Sequence, residues 1–286
     1  MPIIGWGLAL LLALALTGCS TVKLGYNNAP EISYWWLDSY FDFNSNQSSK
    51  LRRDLNTVQA WHRQNELPLY VKTLEKTLRL ATGKVTPEQV CDLYADVKPR
   101  FQTLIDQTEP VMVSMVPTLQ PEQIAHLARQ LEKRSDKWRE EWLDGSLIER
   151  RERRVKQLAD RTEMLYGRLE EAQLSMLRAQ VAESSFDAAV SYRESQRRYR
   201  DTLQTFQKIQ TDKTNGAQTK SEIRGLLERS MQSPDAAYRT LMEKITQENC
   251  KAFATLHNST TSAQRQKAKS VLESYAADAL TLMLQR

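Results

Sequence analysis

Leu16-Thr17-Gly18-Cys19 closes an apolar run from Ile3 to Leu16 and is the one tetrapeptide in the chain with a defined chemistry. The small residue before the cysteine gives a peptidase room, and the Cys19 thiol is then the nucleophile that takes a lipid. The run is too short to span a bilayer, which needs about 20 apolar residues, so residues 1–18 read as a cleaved leader. No Lys or Arg precedes the run, a departure from the usual start of such leaders. Acyl chains gain roughly 0.8 kcal/mol per buried methylene, so two or three of them on Cys19 would hold the chain on a membrane.

The other reactive side chains form no catalytic pattern. Ser20-Thr21-Val22-Lys23 spells the SxxK of penicillin-binding enzymes, but a nucleophile beside a lipid anchor cannot sit in a cleft, and SDN and KTG are absent. There is no GxSxG, P-loop or GxGxxG. The three histidines, His62, His126 and His257, fall on different expected helices without HExxH-like spacing, so no metal or other cofactor is implied. With Cys19 acylated, Cys91 and Cys250 remain. In an oxidising compartment they are a candidate disulfide, the alternative being two separate buried thiols. The expectation is a non-catalytic protein.

The leader carries no ionisable side chain, so the formal +5 belongs to the rest of the chain. Outside the cytoplasm that excess points to anionic envelope components rather than nucleic acid. Two surfaces are candidates for binding. Ile32, Trp35, Trp36, Tyr40 and Phe43 step by 3, 1, 4 and 3 along one helical face, with Leu37 and Phe41 beside it. Trp and Tyr close to a lipid suit the headgroup zone. The expected role is nevertheless packing into the core against Trp61, because Asp38 and Asp42 sit badly against anionic headgroups. The second is the basic stretch from Arg150 through Arg151, Arg153 and Arg154 to Arg161, continued by Arg193, Arg197, Arg198 and Arg200. It is expected to be a solubilising face with pairs such as Glu149–Arg153, the alternative being a patch that steers anionic partners.

The elements that position these residues are helices. Six of the nine glycines lie beyond the leader, no stretch alternates for long, and apolar residues recur at three and four. Ile148, Val155, Leu158, Leu165, Leu169, Ala172 and Met176 step by 7, 3, 7, 4, 3 and 4. Thr86-Pro87-Glu88-Gln89 and Thr261-Ser262-Ala263-Gln264 are capping boxes, and Gln120-Pro121-Glu122-Gln123 keeps the box with a poorer cap. The fold class is all-α, with helices expected over 30–43, 47–80, 86–116, 120–143, 146–212, 218–231, 233–256 and 261–284. A kink is expected near Ser184-Ser185, and 207–220 is the expected mobile loop. Residues 19–29 would be a tether and 30–286 one helical domain, with any subdivision near Gly145.

Tyr26-Asn27-Asn28-Ala29, then Trp36-Leu37-Asp38-Ser39-Tyr40-Phe41-Asp42-Phe43 and Trp61-His62, resemble a family of uncharacterised bacterial lipoproteins catalogued as a domain of unknown function. That resemblance covers nearly the whole chain and implies a helical periplasmic lipoprotein without supplying an activity. In lipoproteins of this kind aspartate after the lipidated cysteine retains the protein in the inner membrane. Ser20 at that position implies the outer membrane. A second likeness is to the Spy/CpxP periplasmic proteins, whose LTxxQ motif is echoed at residues 85–89, 119–123 and 261–264. It implies a helical cradle for unfolded or envelope-stress partners. The expected role is thus a membrane-anchored protein that binds an envelope protein or anionic polymer, chaperone-like in character. A structural spacer of the envelope and a hydrolase of envelope polymers are the alternatives.

Overall fold

The computed structural model describes residues 21–285, and within them every regular element is helical. In chain order these are α1 (Thr21–Asn27), α2 (Ala29–Phe41), α3 (Ser45–Asn65), α4 (Leu67–Ala81), α5 (Pro87–Met115), α6 (Pro121–Trp142), α7 (Leu147–Tyr166), α8 (Glu171–Glu183), α9 (Ala188–Thr211), α10 (Gly216–Met231), α11 (Ala236–Ser259) and α12 (Ser262–Leu284). A 3₁₀ turn, Val116–Thr118, links α5 to α6. The leader 1–18 and the expected lipidation at Cys19 lie outside the described residues.

The all-α expectation holds, and the boundaries differ where one residue overrides the periodicity. The expected helix 47–80 is two helices, because Pro68 in the first turn of α4 cannot donate to the carbonyl a turn earlier. The expected helix 146–212 is three. Gly167 ends α7 with φ +75° and ψ −165°, a conformation essentially confined to glycine. The expected kink at Ser184-Ser185 is a full break, after which Asp187 caps α9 through the Ala189 and Val190 amides. The supposed mobile loop is only a short turn, with α9 running to Thr211 and α10 starting at Gly216 under an Asn215 cap. The tether expected over 19–29 is helical from Thr21 on.

Four of the capping boxes do more than start helices. The Gln47 and Gln123 side-chain amides face each other and exchange hydrogen bonds of 3.1 and 2.9 Å. Each oxygen also accepts from its own cap amide, Asn44 N and Gln120 N. Each nitrogen reaches across to the other strand of chain, Gln47 to the Thr118 carbonyl and Gln123 to the carbonyls of Phe41 and Asp42. Gln173 and Gln264 repeat this arrangement: mutual bonds of 2.8 and 2.9 Å, oxygens on Glu170 N and Thr261 N, nitrogens on the Ser259 and Arg168 carbonyls. All four glutamines are buried. A buried amide costs little only when its donors and acceptors are filled, and here four helix starts and four preceding chain ends are filled by each other.

The helix pairings repeat as well. In the first half α2 packs on α3 and α6, and α3 on α5. In the second α7 packs on α8 and α12, and α8 on α11. The halves then interlock, with α4 packing on α12, α9 on α6, and α5 against α11. Helix α10 is the addition that the first half lacks. Its Ile223 and Leu226 join Val116, Leu119, Ile124, Leu127, Phe206 and Ile209 in the largest buried cluster.

Candidate functional site

A groove runs between α5 and α11, with Arg198 of α9 and Met231–Ser233 at the end of α10 also lining it. Its volume is about 720 Å³. Tyr94 and Lys98 line it from α5, and Tyr238, Arg239 and Met242 from α11. Tyr94 is 51% exposed, and Met231 and Met242 nearly 40%. Tyr94, Lys98 and Phe101 follow each other by four and three on α5, a mixed apolar stripe on a helix whose ends are held by other contacts. Arg198 is oriented by Glu194 (3.0 Å), and Arg239 by the Ser233 and Pro234 carbonyls (2.7 and 3.1 Å). The groove thus combines adaptable thioethers and tyrosine faces with positioned cations. A smaller cavity of about 470 Å³ lies on the other flank of α11, against α8, lined by Met176, Leu177, Ala179 and Leu256.

Cys91 of α5 and Cys250 of α11 are joined as a disulfide beside this groove, Sγ–Sγ 2.07 Å across a sequence separation of 159. Gln247, which lines the groove, sits against Cys91 Sγ at 3.6 Å. The two helices that bound the cleft are therefore covalently tied.

The aromatic block divides between core and solvent. Tyr34 is buried with Leu51 and Met115, and Leu37, Phe41 and Phe43 pack on core clusters. The expectation that the Ile32–Trp35–Trp36 face packs against the core and Trp61 is overturned: these three are 56%, 59% and 55% exposed. Tyr40 is an intermediate case, its ring 5.0 Å from Trp36 and its hydroxyl accepting from Arg134 at 3.3 Å.

The basic stretch is mostly structural. Arg150 and Arg153 donate to the carbonyls of Leu143 and Asp144 (3.4 and 2.6 Å), stapling the turn before α7. Glu149, expected to pair with Arg153, instead turns back to Ser146 N at 2.7 Å in its own capping box, and this holds its carboxyl below the ordinary glutamate value. Arg154 lies 4.5 Å over the Phe186 ring and donates to Ser184 Oγ, and half-burial lowers its pKa. Arg151 and Arg161 remain exposed on α7. Arg197 and Arg198 converge on buried Glu194, and Arg197 with Arg229 on Asp201.

The histidines lie apart. His257, 3% exposed, takes the Tyr166 hydroxyl on Nδ1 at 2.7 Å and donates from Nε2 to the Gly83 carbonyl at 2.8 Å. A carbonyl only accepts, so Nε2 carries a proton, and burial lowers the pKa of the ring, while burial pushes the Tyr166 hydroxyl up to about 12. His62 Nδ1 and the Tyr26 hydroxyl share a hydrogen bond of 3.0 Å, and burial lowers the pKa of this ring too. His126 Nε2 meets the Ser39 carbonyl at 3.1 Å. Among the described residues no three His, Cys, Asp or Glu side chains gather in a metal-binding set, and no helix is long and apolar enough to cross a membrane.

Sequence reasoning missed the groove because Tyr94, Met231 and Met242 lie on three helices and carry no motif. It also missed Gln47 and Gln173, although each stands three residues after a cap position, as Gln123 and Gln264 do. A family model described as a family of unknown function, DUF6279, matches residues 39–239. No curated protein and no solved structure matches the chain.

Proposed function

The chain belongs to DUF6279, a family of unknown function, and from that premise we propose that it is a lipid-anchored, non-catalytic binding protein of the bacterial envelope. Its ligand class is a polypeptide segment. Cys19 carries the anchor, and Ser20 assigns the anchor to the outer membrane with the body in the periplasm. The observation that supports this reading best is the α5–α11 groove. Tyr94, Met231 and Met242 offer apolar contact that adapts to varied side chains, while Lys98 and Arg239 at its edge suit acidic residues of the segment. The disulfide between Cys91 and Cys250 keeps the two walls in register. The interlocked halves, with α1 and α4 both returning to α12, favour a body that holds a ligand over one that projects as a spacer.

The test is suppression of aggregation of a reduced, unfolded model client, followed by light scattering. The wild type should suppress at near-stoichiometric ratios, and the triple variant Y94S/M231S/M242S should lose most of that effect while keeping its helical spectrum. A benzophenone side chain at position 242 should crosslink to the client, and one at Arg151 should not. Failure to suppress, together with no crosslink from position 242, would sink the reading.

A further inference from the structure

A group of exposed apolar side chains stands where the chain leaves its anchor. Thr21, the first described residue, lies two positions after Cys19. At ~1.5 Å rise per residue, Trp36 is at most about 23 Å from Thr21. Within that reach Leu24, Ile32, Trp35 and Trp36 are 61%, 56%, 59% and 55% exposed. The C-terminal end of α12 is brought to the same place. Lys23 pairs with Asp278 at 3.4 Å, and Asn27 bonds Gln285 at 3.0 Å, which sets Leu284, 85% exposed, beside α1.

The charges around the tryptophans are already engaged. Glu31 is held by Arg52 at 2.5 Å, the Arg52 guanidinium lies 3.7 Å over Tyr34 and 5.4 Å from the Trp35 ring, and Asp38 accepts the Phe43 amide at 3.0 Å. Asp42 lies beyond Tyr40 at the far end of α2. Arg52 thus offsets Glu31 beside Trp35, and Asp38 and Asp42 follow the stripe toward the far end of α2 rather than interrupt it.

We propose that the Ile32–Trp35–Trp36 stripe of α2 lies in the headgroup zone of the bilayer that carries the Cys19 acyl chains, so that the body rests on the membrane rather than swinging from a free tether. This rests on the lipid-anchor reading above. The occupant is a bilayer because the anchor brings that surface within reach at high effective concentration, and because paired indoles beside an aliphatic residue match the amphipathic interface. A bilayer contact there would hold the side of the body bearing α1 and α2 against lipid and fix the orientation of the α5–α11 groove.

The experiment uses the full lipidated chain extracted from membranes and reconstituted into phosphatidylethanolamine–phosphatidylglycerol vesicles with brominated acyl chains. Intact mass reads acylation of Cys19, and indole fluorescence reads depth. The wild type should show a roughly two-fold quench of the emission that W35F/W36F removes, as rings at headgroup level would. W35F/W36F itself should remain with the vesicles through its lipid while showing no such quench. An acylated chain whose Trp35/Trp36 emission is unquenched overturns the proposal and leaves the anchor standing. If such a chain also sediments as a dimer that W35S/W36S abolishes, the stripe belongs to a second copy. An unacylated Cys19 overturns the anchor reading and this one with it.

Discussion

Two glutamine joints hold this protein, and they are alike in bonding and unlike in surroundings. Gln47–Gln123 and Gln173–Gln264 each tie two helix starts to two preceding chain ends by the same reciprocal pattern. Beside the first joint, α2 turns Ile32, Trp35 and Trp36 outward. Beside the second, α7 carries Arg150 to Arg161, and the His257–Tyr166 pair lies close by. The two halves thus share a scaffold and differ in surface. The bonds within a joint leave no room for substitution, because each amide atom is committed, whereas the outer faces of α2 and α7 are free to specialise.

The disulfide is the largest single lever on that comparison, because it crosses between the halves. Closing a separation of 159 residues contributes about 5 kcal/mol in the chain-entropy model. Reduction, or C91S/C250S, should lower the urea midpoint by a corresponding amount and leave a folded protein. If the two halves then unfold in separate transitions, their interlocking depends on the bond. If a single transition persists, the packing of α4 on α12 and α9 on α6 suffices.

Within each half, Gln123→Leu and Gln173→Leu should each cost about 2–3 kcal/mol, since a buried carbonyl loses its donor and the partner amide loses its mate. Denaturant unfolding measures both. Costs differing by more than about 1.5 kcal/mol, beyond the scatter expected of like contacts, would show that equal geometry does not mean equal contribution. The double substitution Q47L/Q123L should cost less than the sum of its singles, because the two residues share one network.

Acid should separate the halves. His257 and His62 both have pKa values lowered by burial; at His257 the hydrogen bond to the Gly83 carbonyl opposes this and the Arg265 charge adds to it, while at His62 the nearby Glu66 charge opposes it. For each, the unfolded chain takes up the proton more readily than the folded one. Stability is therefore full above the unfolded histidine value, about 6.5, and is lost as pH falls from there toward the lowered folded value. His257→Gln should be less stable at neutral pH yet flatter between pH 7 and 5, and His62→Gln should flatten the curve less. Unfolding free energy against pH is the measurement, and a steeper effect at His62 would reverse the assignment.

Much of this was legible in sequence because it is local. Capping boxes at Thr86, Gln120 and Thr261, the boundary near Gly145, and the helical class all follow from neighbours a few residues apart. Cys91 and Cys250 were candidates for pairing as the two cysteines beyond Cys19, with two separate thiols as the alternative, and the structure joins them. The helix breaks at Pro68 and Gly167 were hidden because apolar spacing continued across them. Val155, Leu158 and Leu169 of the expected stripe do share one cluster, but Leu169 stands in the link after α7 rather than on one helix with the others. The aromatic block was half legible. A helix as apolar as α2 has two candidate faces, and periodicity could not tell that Tyr34, Leu37 and Phe41 point inward while Ile32, Trp35 and Trp36 point out. The joints were invisible because a glutamine three residues into a helix shows its own cap but not the second glutamine that answers it.

The smallest effects test how far the divergence of α2 and α7 is functional. Arg154 spreads over the Phe186 ring at 4.5 Å and bonds Ser184, so Arg154→Ala should cost about 1 kcal/mol through lost stacking and packing. Arg151, one turn earlier and exposed, should change stability by less than about 0.5 kcal/mol on substitution to alanine. Thermal melts of the two variants measure this, and a ligand-binding comparison completes it. Client binding should be unaltered in Arg151→Ala if the groove between α5 and α11 is the working surface. Weaker client binding in Arg151→Ala with an unchanged melt would move the ligand to the basic side of α7. The working surface would then lie within the second half alone, rather than between one helix of each half.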